Sequence, residues 1–183
     1  MQFYIETERL ILRDILVSDI EGIFELDSDP IVHKYLGQKP IKTKEKAAEI
    51  IAFIHSQYKN LGIGRFAAIE KDSGDFIGWS GLKLNTGKKE ALNGKTEFYD
   101  VGFRFIPRYW GKGYATESAL AALNFGFNKM NLETIVGAAE VDNIASNKVL
   151  QTIGLRFINE FTYQNTPCNW YELKNSDYAK TMS

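Results

Sequence analysis

Between Asp100 and Glu117 a strand pattern runs straight into a glycine-rich turn and then into a helix, and this order limits the possible folds more than any other feature. Residues 96–106 alternate like a strand and stop at Pro107. The turn carries Gly111, Lys112 and Gly113. From Thr116 to Met130, residues Ala119, Leu120, Leu123 and Phe127 fall on one helical stripe. A second strand follows at Thr134–Val141. A strand, a helix and a strand in this order form a parallel crossover.

The rest of the chain points to antiparallel pairing. Ile5–Arg13 alternates, with Leu10 and Leu12 facing one way and Arg9, Ile11 and Arg13 the other, as in an edge strand. Ser18 stands three residues before Glu21, a capping-box spacing, and Pro30 ends the helix that follows. A second helix opens near Thr43 and ends at Gly62 and Gly64. Two strands, Arg65–Glu70 and Phe76–Asn85, flank a turn containing Gly74. A helix over Ala145–Ile153 and a hairpin of Arg156–Tyr163 with Asn169–Lys174 complete the order. The expectation is an α+β fold with seven strands, four main helices and a mostly antiparallel sheet. Residues 1–175 read as one domain and 176–183 as a polar, frayed tail.

Composition narrows the function classes. The 22 Lys and Arg against 23 Asp and Glu leave a net charge of −1, which argues against a direct nucleic-acid or anionic-membrane binder. No apolar run approaches the roughly 18 residues of a membrane span, and the start lacks a signal-peptide pattern. Cys168 is the single cysteine, so neither an internal disulfide nor a cysteine metal cluster is expected, and a cytoplasmic location fits. His33 and His55 are too isolated in sequence to suggest a metal site, and His55 is expected on the exposed side of its helix.

A helix N-terminus presents unpaired N–H groups and partial positive charge, and glycines before it let an anion approach the backbone. Gly111, Lys112 and Gly113, with Thr116, therefore read as a phosphate or pyrophosphate site or as a turn that binds nothing. Neither the P-loop pattern nor the dinucleotide fingerprint is matched.

Trp110-x-x-Gly113-x-Ala115 resembles the acyl-CoA pyrophosphate loop of the GNAT acetyltransferases. The string from Pro107 to Glu117 is similar to the RimJ/RimL-like branch, the ribosomal-protein N-terminal acetyltransferases. Thr7–Arg13 resembles that branch's opening strand, and Asp142–Leu150 its Asn-x-x-Ser motif before a helix. Trp110 replaces the usual Gln or Arg, and Gly154-Leu155 the usual Gly-Phe. The resemblance implies acetyl-CoA in a gap between two splayed central strands, parted by a bulge in the first. Backbone groups of Phe103, Arg104 and Phe105 would pair with the pantetheine arm, and amides of Gly111, Lys112, Gly113, Tyr114, Ala115 and Thr116 would hold the pyrophosphate.

Transfer to an amine needs a neutral amine and a proton for the departing thiolate. By analogy with the branch, Ser146 is the candidate proton donor; it also suits a helix N-cap. Leu150 stands where many members carry a tyrosine, and Tyr114 and Tyr109 are possible substitutes. Asn143 is a candidate cofactor contact. Asp100, Glu97 and Glu140 are candidate bases, with water as the alternative. Tyr35, Trp79, Phe98 and Tyr99 are candidate linings of the acceptor groove, and Cys168 reads as a packed thiol.

The function expected is direct acetyl transfer from acetyl-CoA to a primary amine, such as the N-terminus of a peptide or ribosomal protein, by a monomer or homodimer without metal. Alternatives are a small-molecule (antibiotic or polyamine) amine acetyltransferase, a non-catalytic acyl-CoA-binding module, and a nucleotide-phosphate binder.

Overall fold

The computed structural model describes residues 3–181. Eight strands form one mixed sheet, in the order β1-β2-β3-β4-β5-β6-β8-β7. The strands are β1 Tyr4–Glu6, β2 Leu10–Asp14, β3 Phe66–Glu70, β4 Phe76–Thr86, β5 Glu97–Phe105, β6 Thr134–Glu140, β7 Arg156–Tyr163 and β8 Thr166–Lys174. Five α-helices accompany them: α1 Ile20–Ser28, α2 Lys44–Leu61, α3 Tyr114–Asn128, α4 Ile144–Thr152 and α5 Asn175–Thr181. All strand pairs are antiparallel except β5–β6, the expected crossover through α3.

The eighth strand arises because the first expected strand is two. The Thr7 hydroxyl accepts the Leu10 N–H at 2.9 Å, and the Thr7 N–H donates to the Leu10 carbonyl at 2.9 Å. This local turn folds β1 back on β2, so β2 is an inner strand rather than an edge. The capping box at Ser18 is likewise not used. Asp19 instead accepts the Leu16 N–H at 2.7 Å, in a 3-10 turn ahead of α1. The tail expected to fray begins with α5, whose Tyr178 is buried with its ring 4.7 Å from that of Phe127. An aromatic buried there stabilises the end of the chain by about 1.5–3 kcal/mol, which offsets a polar sequence.

Both faces of the sheet are covered. Leu10, Leu12, Phe66, Leu82, Val101 and Phe105 pack under α3, with Ala119, Leu123 and Phe127 facing them. On the other face Ala67 and Ile69 pack with Ile23, Ala47, Ile51 and Ile54 from α1 and α2. Beyond α1 and α2 that face carries a small separate cluster over β5, β6 and β8, in which Phe98, Val136 and Trp170 are buried with Leu92 and Phe161 packed against them.

Candidate active site

The parallel pair β5–β6 meets at one position, Asp100 opposite Val136. Past it the strands part. On its far side β5 stays paired with β4 as far as Phe105, and β6 with β8 as far as Glu140. The edges of Val101–Phe105 and Gly137–Glu140 that face each other therefore carry no strand partner. A gap between two strand edges can take an extended, amide-bearing ligand as an added strand would be taken. The splay matches expectation, but the bulge does not: β5 is in unbroken register with β4, and register shifts lie between β3 and β4 at Ala68/Ile69 and between β7 and β8 at Phe157/Asn159. Both strands finish at the same end of the sheet, where β5 leads towards α3 and β6 towards α4.

After β5 the chain makes a 3-10 turn at Pro107–Tyr109 and reaches Gly111 and Gly113, with φ +73° and +84°. Both lie in the left-handed region that favours glycine. Gly113 is the N-cap of α3, which begins at Tyr114, two residues earlier than its periodicity suggests. Residues 110–113 are exposed, so the first amides of α3 open on a bare glycine turn. Trp110 donates its indole N–H to the Phe105 carbonyl at 2.6 Å, which ties the turn to the end of β5. Lys112 Nζ rests over the Tyr109 ring at 5.2 Å.

Two residues that the sequence does not single out order this turn. Arg9 donates from Nη1 to the Lys112 carbonyl at 2.8 Å and from Nε to Glu117 Oε2 at 2.7 Å. Glu117 also accepts the Thr7 hydroxyl at 2.6 Å and the Arg9 N–H at 2.8 Å. Burial pushes the Glu117 carboxyl up, but these donors outweigh it and hold it below its ordinary value.

At the start of α4, Asn143 is the N-cap: its side-chain oxygen accepts the Ser146 N–H at 3.2 Å. The capping role considered for Ser146 thus belongs to Asn143. The Ser146 hydroxyl itself has no hydrogen-bond partner among the described residues, and the side chain is partly exposed. Asn147, absent from the sequence-based candidates, is buried and joins three elements. Its Nδ2 donates to the carbonyls of Glu140 and Asn143 at 2.8 Å, and its Oδ1 accepts from Asn169 at 2.9 Å and Tyr171 at 2.7 Å. It fixes where α4 begins relative to β6 and β8.

The remaining candidates separate. Tyr114 turns its hydroxyl to Glu70 at the end of β3, two strands from the gap. That hydrogen bond is the main cause that raises the phenol above its ordinary pKa. Its backbone stays in the turn, but its hydroxyl does not reach the gap, which corrects the expectation that it could substitute as proton donor. Asp100 has both oxygens engaged: Oδ2 with Arg65 Nη2 at 2.5 Å, and Oδ1 with Asn85 Nδ2 at 2.7 Å. A Cβ at Gly102 would lie 2.7 Å from the Arg65 guanidinium, so a larger residue there would push that side chain off Asp100. Glu97 is exposed at the opposite end of β5. Glu140, at the end of β6, makes no side-chain hydrogen bond or ion pair among the described residues. Cys168 is buried, and burial raises its thiol pKa, as fits a packed side chain.

On the face that carries α1 and α2, Arg65 and Arg104 lie over Trp79 at 5.4 and 4.9 Å. Arg104 pairs with the buried Asp27, which also has His33 Nε2 at 3.6 Å. Desolvation, and then Arg104, push the His33 pKa below its usual value, against the opposing pull of Asp27. Phe98 is buried against Trp170, which makes it core rather than groove, while Trp79, Tyr99 and Tyr35 are half-buried. His55 is not on an exposed face: its Nε2 lies 2.7 Å from the Ile15 carbonyl.

Comparison with known proteins agrees with this layout. Residues 9–156 match the family model described as "Acetyltransferase (GNAT) domain". The chain is 33% identical over 153 residues, 84% of its length and 82% of the relative's, to the uncharacterized N-acetyltransferase YnaD of Bacillus subtilis. The GNAT-family acetyltransferase structure from Bacillus anthracis is 27% identical with a TM-score of 0.77, covering 95% of this chain and 99% of that one. The spermidine N-acetyltransferase of Vibrio cholerae, solved with CoA and spermine, shares the fold at 17% identity and a TM-score of 0.73, over 94% and 99% of the two chains. With its splayed strands and glycine turn in place, the chain belongs to the GNAT family of acetyltransferases, enzymes that draw their acetyl group from acetyl-CoA.

Proposed function

We propose that this acetyltransferase acts on a singly charged primary amine, of the kind found at a peptide or ribosomal-protein N-terminus. The carrying observation is the charge pairing on the sheet face beside the gap. Asp100 pairs with Arg65, Asp27 with Arg104, and Glu172 with Lys95 at 3.2 Å. A polyamine needs several uncompensated carboxylates to hold its second and third ammonium groups. These three carboxylates are already matched, and of the acidic groups named beside the gap Glu140 is the one left unpaired among the described residues, which favours an acceptor with one amine over a polycation.

In this reading the facing edges of β5 and β6 take the pantetheine arm, with Phe103, Arg104 and Phe105 on one side. The amides from Gly111 to Thr116 take the pyrophosphate, and Asn143 stands near the arm. Ser146 gives its proton to the departing thiolate. Glu140 accepts the proton lost by the attacking amine, directly or through water. The Ser146 hydroxyl and Glu140 carboxylate, without hydrogen-bond partners among the described residues, support these two roles. An α-amine has a pKa of about 7.7–8.0 against about 10.4 for lysine, so a weak base suffices near neutral pH. Direct transfer suits a chain whose one cysteine is buried. A cytoplasmic setting suits the same reduced thiol.

The test is thiol release from acetyl-CoA with three acceptors: a peptide with a free N-terminus, an Nα-blocked peptide carrying lysine, and spermidine. Preference for the free N-terminus is expected. Turnover with spermidine alone would overturn the acceptor class, and CoA binding without turnover on any amine would indicate a non-catalytic module.

A further inference from the structure

Arg9 lies just before β2, yet it reaches the turn ahead of α3, more than a hundred residues later. Resting on the reading of that turn as the pyrophosphate cradle, we propose that Arg9 is its positioning residue. It holds the Lys112 carbonyl so that the next N–H faces the anion, and it neutralises the carboxylate of Glu117 beside it.

The first half follows from peptide geometry. In a planar trans peptide the C=O and the N–H of the next residue point in opposite directions. Arg9 Nη1 fixes the Lys112 carbonyl at 2.8 Å, so the Gly113 N–H points away from Arg9. The guanidinium is itself held from another side, 4.5 Å over the Tyr114 ring.

The second half is electrostatic. Glu117 sits in the first turn of α3, where a carboxylate favours the helix but would repel an incoming pyrophosphate. Arg9 Nη2 and Nε both lie 2.7 Å from Glu117 Oε2, and the Thr7 hydroxyl and Arg9 N–H occupy Oε1. Holding a carboxylate and a carbonyl at once needs the flat, multiply donating guanidinium, which lysine lacks. The Arg9 side chain is 42% exposed, so its work is directional rather than core packing.

Calorimetric titration of the full chain with CoA and with pantetheine, which lacks the pyrophosphate, tests this. Wild type should prefer CoA strongly. Arg9→Ala should reduce that preference about tenfold, as expected when one hydrogen bond to a charged group is misaligned. Arg9→Lys, which keeps the charge, should fall between them, and it carries the test should the alanine variant melt early. A preference unchanged in Arg9→Ala overturns the proposal, as does equal weakening of both ligands. Full retention in Arg9→Lys would reduce the role to charge and also overturn it. A wild type without preference would instead remove the cradle reading on which the proposal rests.

Discussion

The side-chain oxygen of Asn143 accepts the Ser146 N–H at 3.2 Å, so the asparagine caps α4 and leaves the serine hydroxyl unused by the fold. The two residues should therefore fail in different ways. Ser146→Ala should lower kcat by about 10²-fold, the low end of general acid catalysis, with an unchanged melting curve. Asn143→Ala should cost about 1 kcal/mol of stability through the lost cap. Steady-state kinetics beside thermal melts decide the matter, and a folded Ser146→Ala enzyme with wild-type kcat removes Ser146 from the chemistry.

Gly113 holds φ +84°, and a Cβ there would lie 3.3 Å from Arg9 Nη2. Gly113→Val should thus cost about 1–2 kcal/mol from the left-handed backbone. It should also weaken acetyl-CoA binding by displacing the turn. Titration of a variant shown to be folded by circular dichroism checks this. Unchanged affinity would remove the turn from the cofactor site.

Glu140 and Asp100 compete for the role of base, and their surroundings differ. Asp100 is bonded to Arg65 and Asn85, whereas Glu140 is unpaired among the described residues. Glu140→Gln should lower kcat about 10²-fold and leave the melt in place. Asp100→Asn should cost about 1–3 kcal/mol, the loss for a hydrogen-bonded charged group, or several degrees in Tm. The reverse pattern, catalysis lost in a stable Asp100→Asn, would transfer the role to Asp100.

The Arg9–Glu117 pair sets an acid limit on stability. The folded-state pKa of Glu117 is lowered, so its contribution is fully present above the unfolded value of about 4.3 and fades as pH falls through the folded value. Wild type should melt higher than Glu117→Gln at pH 7, and the difference should shrink below about pH 4. Melts of both proteins across pH 3–7 measure it; a constant difference would show that the charge contributes nothing.

The alternation of β5, the glycines at 111 and 113 and the stripe of α3 are short-range signals, and each is legible in the order of residues alone. So are the crossover and the likeness to acetyltransferases, because period, turn chemistry and motif spacing are properties of neighbours along the chain, whereas the splay is implied only by that likeness. Which side chains meet across the chain is not legible there. Arg9 finds Lys112 and Glu117, Tyr114 spends its hydroxyl on Glu70, and Asn147 gathers Glu140, Asn143, Asn169 and Tyr171. These partners are chosen by strand register and by where α3 and α4 leave the sheet, and one residue of slip would reassign them all. Local patterning is thus enough to set the fold class and the glycine turn between β5 and α3. Long-range packing alone commits the Tyr114 hydroxyl and the Asp100 carboxylate to holding the fold, and leaves the Ser146 hydroxyl and the Glu140 carboxylate without hydrogen-bond partners among the described residues.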